Sequence, residues 1–112
     1  MKLKLLFAVV ALLSGCATQT MYHWGNYSGT LYNLNNEYSE RNKERHYQEL
    51  LQIVAVASSK NKVPPGIYFE LGMFEARKGN VTQSQVYFNK EMQAFPESRV
   101  FVERVLQGQV SE

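Results

Sequence analysis

The sequence predicts an all-α fold of antiparallel helix hairpins, about five helices in all, on three observations. Apolar residues recur at spacings of three and four through successive stretches of the chain. Residues that start and stop helices stand between those stretches, serine and threonine at the starts, glycine and proline at the ends. No stretch alternates apolar and polar residues with a period of two, as a half-buried strand would.

Tyr27, Leu31, Leu34 and Tyr38 fall on one helical face. Gly29, Asn33, Asn35 and Asn36 are poor helix formers, so this first helix is expected to be short and to break at Asn35–Asn36. A second helix is expected over residues 39–59, with Ser39 as its N-cap. Tyr47, Leu50, Leu51, Val54 and Ala57 make its apolar stripe; Glu40, Arg41, Lys43, Glu44 and Arg45 make a solvated face of mixed sign. His46 lies in that charged run and reads as an exposed polar residue. Ser58 to Val63 reads as a polar loop.

Pro64-Pro65-Gly66 opens a third helix, with Pro65 near N1, where a missing amide hydrogen costs nothing. Ile67, Tyr68, Leu71 and Phe74 form its apolar side, Arg77 and Lys78 suit its negative end, and Gly79 supplies the stop. A fourth helix is expected to start with a capping box, Thr82 as N-cap and Gln85 at N3, stapled by Val81 and Val86. Its face carries Ser84, Phe88, Glu91 or Met92, and Phe95, and Pro96 ends it. Ser98 can cap a fifth helix with Phe101, Val102, Val105 and Leu106, closed by Gly108 and a polar tail, residues 109–112.

The segment before these helices has its own chemistry. Lys2 and Lys4 precede an apolar run from Leu5 to Leu13, shorter than the ~20 residues a spanning helix needs. This is the layout of a signal peptide. Leu13-Ser14-Gly15-Cys16 resembles the lipobox of bacterial lipoproteins. The resemblance implies cleavage after residue 15, lipidation of Cys16 with palmitate-type chains, and a tether over residues 16–24. Each buried methylene contributes roughly 0.8 kcal/mol, so several chains hold where one does not. An uncleaved anchor, a free thiol and an intermolecular disulfide are the other readings of this sole cysteine. Ala17, in the place where aspartate marks inner-membrane retention, points to the outer membrane, periplasmic face.

Composition excludes several functions. Of 12 Lys plus Arg, two lie in the leader, so the remainder balance the 10 acidic residues and no basic field for nucleic acid is left. The chain has no aspartate, hence no Ser-His-Asp triad and no aspartate-based metal loop. His23 and His46 have no second ligand at metal spacing. Glu70, Glu75 and Glu91 are carboxylates of a kind that helical proteins carry routinely. No metal, cofactor or catalytic residue is therefore expected.

Residues 65–98 resemble a tetratricopeptide repeat, a 34-residue helix–turn–helix unit that stacks. Tyr68, Leu71-Gly72, Gly79-Asn80, Phe88 and Pro96 stand at its marker positions; Glu75 and Ser84 depart from it. The resemblance implies a tetratricopeptide-like domain over residues 25–108, in which Gly72 lets helices approach and Phe88 fills the gap. Tyr22-x-Trp24-Gly25-x-Tyr27, Leu31-Tyr32, Lys62-Val63-Pro64-Pro65-Gly66-Ile67-Tyr68, Tyr87-Phe88-x-Lys90-Glu91 and Phe95-Pro96-Glu97-Ser98 are similar to a family of small proteobacterial lipoproteins with a domain of unknown function. Genes of that family often lie beside those of two other lipoproteins, one similar to the curli secretion channel subunit. The resemblance implies a non-enzymatic adaptor whose partners are other envelope lipoproteins, among them a curli-secretion-channel-like pore. A pilotin-like chaperone and a regulator of a cell-wall enzyme are the alternatives. Trp24, Tyr27, Tyr32, Tyr68 and Tyr87 are the candidate partner-binding residues, since such rings join apolar area to a polar tip. Resting at lipid headgroups and roofing the core are the other readings of the aromatic run near the anchor.

Overall fold

A computed structural model describes residues 21–110; Cys16, the expected leader and the first part of the tether lie outside the described residues. Five helices follow in order: α1 Tyr27–Asn36, α2 Glu40–Ala57, α3 Ile67–Arg77, α4 Val81–Ala94 and α5 Arg99–Val110, with 3-10 turns at Ser58–Lys60 and Pro96–Ser98. No strand occurs among the described residues, and the fold is all-α. No helix among them is long and apolar enough to cross a membrane.

The helices pair as antiparallel hairpins. Between α1 and α2, hydrogen bonds join Asn26 to Glu49, Thr30 to His46 and Asn33 to Asn42, so the chain directions oppose. Between α3 and α4, Asn80 meets Glu75, Ser84 meets Gly72 and Glu91 meets Gly66, again in opposite order. Leu50, Ile53 and Ala57 of α2 pack on Val63, Ile67, Tyr68 and Leu71 as the main core. A second apolar contact ties in the last helix: the Phe69 ring lies 5.7 Å from Phe88 and 4.9 Å from Phe101.

α1 stops at Asn36 as its asparagines predict, and the Asn42 amide donates to the carbonyls of Asn33 and Glu37 at that end. Ser39 caps α2, its hydroxyl accepting from the Asn42 backbone N–H at 3.1 Å. The buried stripe of α2 differs from expectation. It is His46, Leu50, Ile53 and Ala57, with Tyr47, Leu51 and Val54 half-buried beside it. His46 is 1% exposed, not a surface residue, because α1 and α3 supply a partner to each ring nitrogen.

α2 ends in a Schellman motif with Asn61 in the left-handed region at φ 51°: Lys62 N–H donates to the Ala57 carbonyl and Asn61 N–H to that of Ser58. Pro65 is not at N1. It is the second residue of a type II turn, followed by Gly66 at φ 96°, ψ −19°, with Ile67 N–H on the Pro64 carbonyl. α3 ends at Gly79, φ 82°, in a second Schellman motif, as the glycine predicts.

The capping box on α4 does not form. The short Gly79-Asn80 turn brings Val81 into the helix at once, so Thr82 already lies inside the first turn. The Asn80 side chain turns back to Glu75 instead, and Val81 is 63% exposed, with Val86 also exposed, so there is no staple. Ser84, Phe88 and Glu91 form the buried face, as expected. Ser98 belongs to the 3-10 turn and directs its hydroxyl to Glu91, and α5 continues through Gly108 rather than stopping there.

Candidate functional site

Residues Tyr22, His23 and Trp24 form a strap across one end of the helices. The Tyr22 ring meets Phe95 edge-on at 6.0 Å. His23 N–H donates to the Lys62 carbonyl at 2.8 Å. The Trp24 ring lies 5.3 Å from Tyr27. Three sequence-distant points are thus fastened together: the end of α4, the α2–α3 loop and the start of α1. Gly25, at φ 50°, turns the strap into α1. A β-carbon there would come 2.5 Å from Glu49 Oε1, which accepts the Asn26 N–H at 2.7 Å.

A groove lies on each flank of the strap. The first, about 590 Å³, is lined by Tyr22, Asn61, Tyr68, Lys90, Gln93 and Phe95, among others. Tyr87 stacks on Tyr68, with ring centroids 6.4 Å apart and planes at 26°. The Lys90 ammonium sits 5.8 Å from the Tyr68 ring and 6.0 Å from that of Tyr87, within cation–π range. Burial, helped by Tyr87 and Glu91, raises the Tyr68 phenol above its ordinary 10.0, so it stays a neutral donor. The second groove, about 480 Å³, is lined by His23, Trp24, Val56, Lys60 and Lys62 together with Tyr22, Gly25 and Ala57. Among the described residues no carboxylate lines either groove. A third, smaller depression near Tyr38 and Phe74 carries both signs of charge, with Glu40 and Glu44 beside Lys43, Arg77 and Lys78.

The carboxylates go elsewhere. Glu70 Oε1 lies 3.0 Å from His46 Nε2, and Glu70 Oε2 accepts from the Tyr27 hydroxyl at 2.7 Å. His46 Nδ1 lies 2.8 Å from Thr30 Oγ1. The series hydroxyl–imidazole–carboxylate has the parts of a nucleophile relay, but the Thr30 hydroxyl also faces the Tyr27 carbonyl of its own helix at 3.2 Å, and the three grooves above are lined by none of these residues. Its visible work is to fasten α1, α2 and α3. Glu75 accepts from Tyr47 at 2.5 Å and from Asn80 at 2.8 Å. The Tyr47 hydroxyl holds the Glu75 carboxyl below its ordinary 4.5, while that bond pushes Tyr47 up to about 12. Among the described residues no group of three His, Cys, Asp or Glu is placed to hold a metal ion.

The aromatic candidates therefore separate. Tyr68 and Tyr87 come together beside the first groove, and Trp24, 45% exposed, opens on the second. Tyr27 is half-buried, its hydroxyl raised by burial and by Glu70, and it supports Trp24 from beneath. Tyr32, on α1, is 68% exposed and lines none of the three grooves.

A family described as Domain of unknown function (DUF4810) matches residues 21–105. The chain belongs to that family. No curated protein and no solved structure matches it. The DUF4810 span begins at Met21, so the strap, both grooves and the polar network all fall within it. Sequence reasoning missed Lys60, Lys62, Lys90 and Phe95 as groove residues of this domain. The signal available was weak: a Lys-Asn-Lys run in a loop that reads as merely polar, and a lysine three residues after Tyr87.

Proposed function

We propose that this chain is an outer-membrane lipoprotein, anchored through Cys16, whose tetratricopeptide-like helical domain is a non-enzymatic adaptor in a curli-secretion-like envelope system. The first groove grips the partner protein. The observation that carries the reading is the open groove beside the stacked Tyr68–Tyr87 pair, with Lys90 over both rings and no acid in its lining among the described residues. Aromatic rings under a cation offer a partner both apolar area and a charge contact. An acidic or aromatic side chain of the partner suits Lys90. The paired hairpins and Gly72–Phe88 packing support the repeat-like reading, and the lipobox-like Leu13-Ser14-Gly15-Cys16 supports the anchor.

Crosslinking of the lipidated protein in its own envelope, read by mass spectrometry, tests the adaptor. Tyr87→Ala and Lys90→Glu are expected to remove the partner crosslinks while helicity persists. Crosslinks that survive both changes sink the groove assignment. Retention in the purified, assembled complex marks an adaptor, and departure from it marks a pilot. Palmitate labelling that is absent in the native chain, or unchanged in Cys16→Ser, sinks the anchor.

A further inference from the structure

We infer that the second groove is the face this protein lays on its membrane, taking anionic lipid headgroups on Lys60 and Lys62 with Trp24 seated at headgroup level. The inference rests on the lipid anchor proposed at Cys16 and goes beyond it, since an anchor alone fixes no orientation.

Reach is the first argument. The chain has five peptide steps from Cys16 to Met21, at most about 18 Å when fully extended. The strap that walls the second groove begins one residue later, so a lipid on Cys16 holds this end of the domain close to the headgroups. Charge is the second. Lys60 and Lys62 make no ion pair among the described residues, and no carboxylate lines the groove with them. Glu49, against Gly25, accepts the Asn26 N–H, one acid beside two lysines. Lysines within a Debye length of an anionic surface are drawn to it. Apolar exposure is the third. Met21, Trp24 and Val56 are all exposed at this end, and the latter two line the groove itself. Tryptophan favours the interface because its ring is apolar and its N–H is not. The first groove has a different composition, with its lysine held over two tyrosine rings, which suits a protein side chain better than a lipid layer.

Trp24 is the sole tryptophan, so its fluorescence reports this groove alone. The full-length lipidated protein is reconstituted on vesicles of phosphatidylcholine, with and without phosphatidylglycerol, and floated. The expected result is a blue shift of Trp24 emission and quenching by headgroup-nitroxide lipid, stronger on the anionic vesicles, with both lost in Lys60→Glu/Lys62→Glu while that variant still floats and keeps its helical circular dichroism. A floated protein whose tryptophan stays water-exposed, or whose quenching ignores the two lysine changes, overturns this inference and leaves the anchor standing. Shielding of Trp24 only on addition of an envelope protein overturns it in favour of a protein occupant. Failure to float overturns the anchor and the inference together.

Discussion

Gly72 and Phe88 occupy one space between α3 and α4. A β-carbon at Gly72 would come 2.6 Å from the Phe88 ring, which is itself buried and set against Phe69. Gly72→Ala gains roughly 1 kcal/mol of helix propensity but overpacks the site by about 1–3 kcal/mol, so a net loss of up to about 2 kcal/mol is expected in urea titration. Adding Phe88→Leu should recover part of it; an additive loss would mean the two residues do not compete for the same volume. Glu91 poses a different problem in the same hairpin. It is 2% exposed, with Oε1 on the Gly66 N–H at 2.9 Å and Oε2 without a well-formed hydrogen bond among the described residues. Burial raises its carboxyl above the ordinary 4.5, against the pull of the Gly66 N–H. The native state then keeps a proton that the unfolded chain has released, so stability falls as pH rises from 4.5 through the folded value. Glu75 acts in the opposite sense: its lowered carboxyl contributes stability above 4.5 that is lost as pH falls through its folded value. Glu91→Gln should flatten the loss on the neutral side in a series of urea midpoints against pH. An unchanged slope would assign that loss to another group.

At the scale of elements, the fold is held by polar cross-ties as well as by its core. Tyr27, Thr30, His46 and Glu70 link α1, α2 and α3 in one connected set. Removing one member leaves a buried partner unsatisfied, at about 1–3 kcal/mol. Tyr27→Phe should therefore lose about that much in the native chain and much less in a Glu70→Leu background, with a coupling of roughly 0.5–3 kcal/mol from the double-mutant cycle. Equal losses in both backgrounds would separate the two residues. These ties explain what the sequence made legible and what it hid. Helix order and most ends follow from local residues: Ser39, the Asn35–Asn36 break and Gly79 each act within a few positions of themselves. His46 was hidden because its burial depends on Thr30 and Glu70, far away in sequence. Ile53 went unread within an apolar-rich half of α2. The false capping box at Thr82 arose because a local motif cannot see Glu75, which captures Asn80 across the turn. Glu75 and Ser84, the departures from the repeat pattern, are both buried and hydrogen-bonded, so each exchanges packing for a polar tie.

Over the whole molecule, the strap decides which surfaces are separate. Tyr22 lines both grooves, whereas Lys90 lines only the first and Lys60 and Lys62 only the second. The lysines of the two grooves share no partner among the described residues, and groups without shared partners couple weakly. Lys90→Glu should therefore weaken partner crosslinking and leave Trp24 quenching on anionic vesicles as it was. Lys60→Glu/Lys62→Glu should do the reverse. Tyr22→Ala should impair both, because it frees the strap from Phe95 and opens the wall that the grooves share. The candidate site was half legible in advance: Tyr68, Tyr87 and Trp24 stood out as aromatics, but the cations beside them gain meaning only when the strap brings residues 22–24 against Lys62 and Phe95. The three variants, read by crosslinking and by fluorescence on the same preparations, test that geometry directly. If Lys90→Glu also abolishes Trp24 quenching, the two faces are one continuous surface and a single occupant covers it.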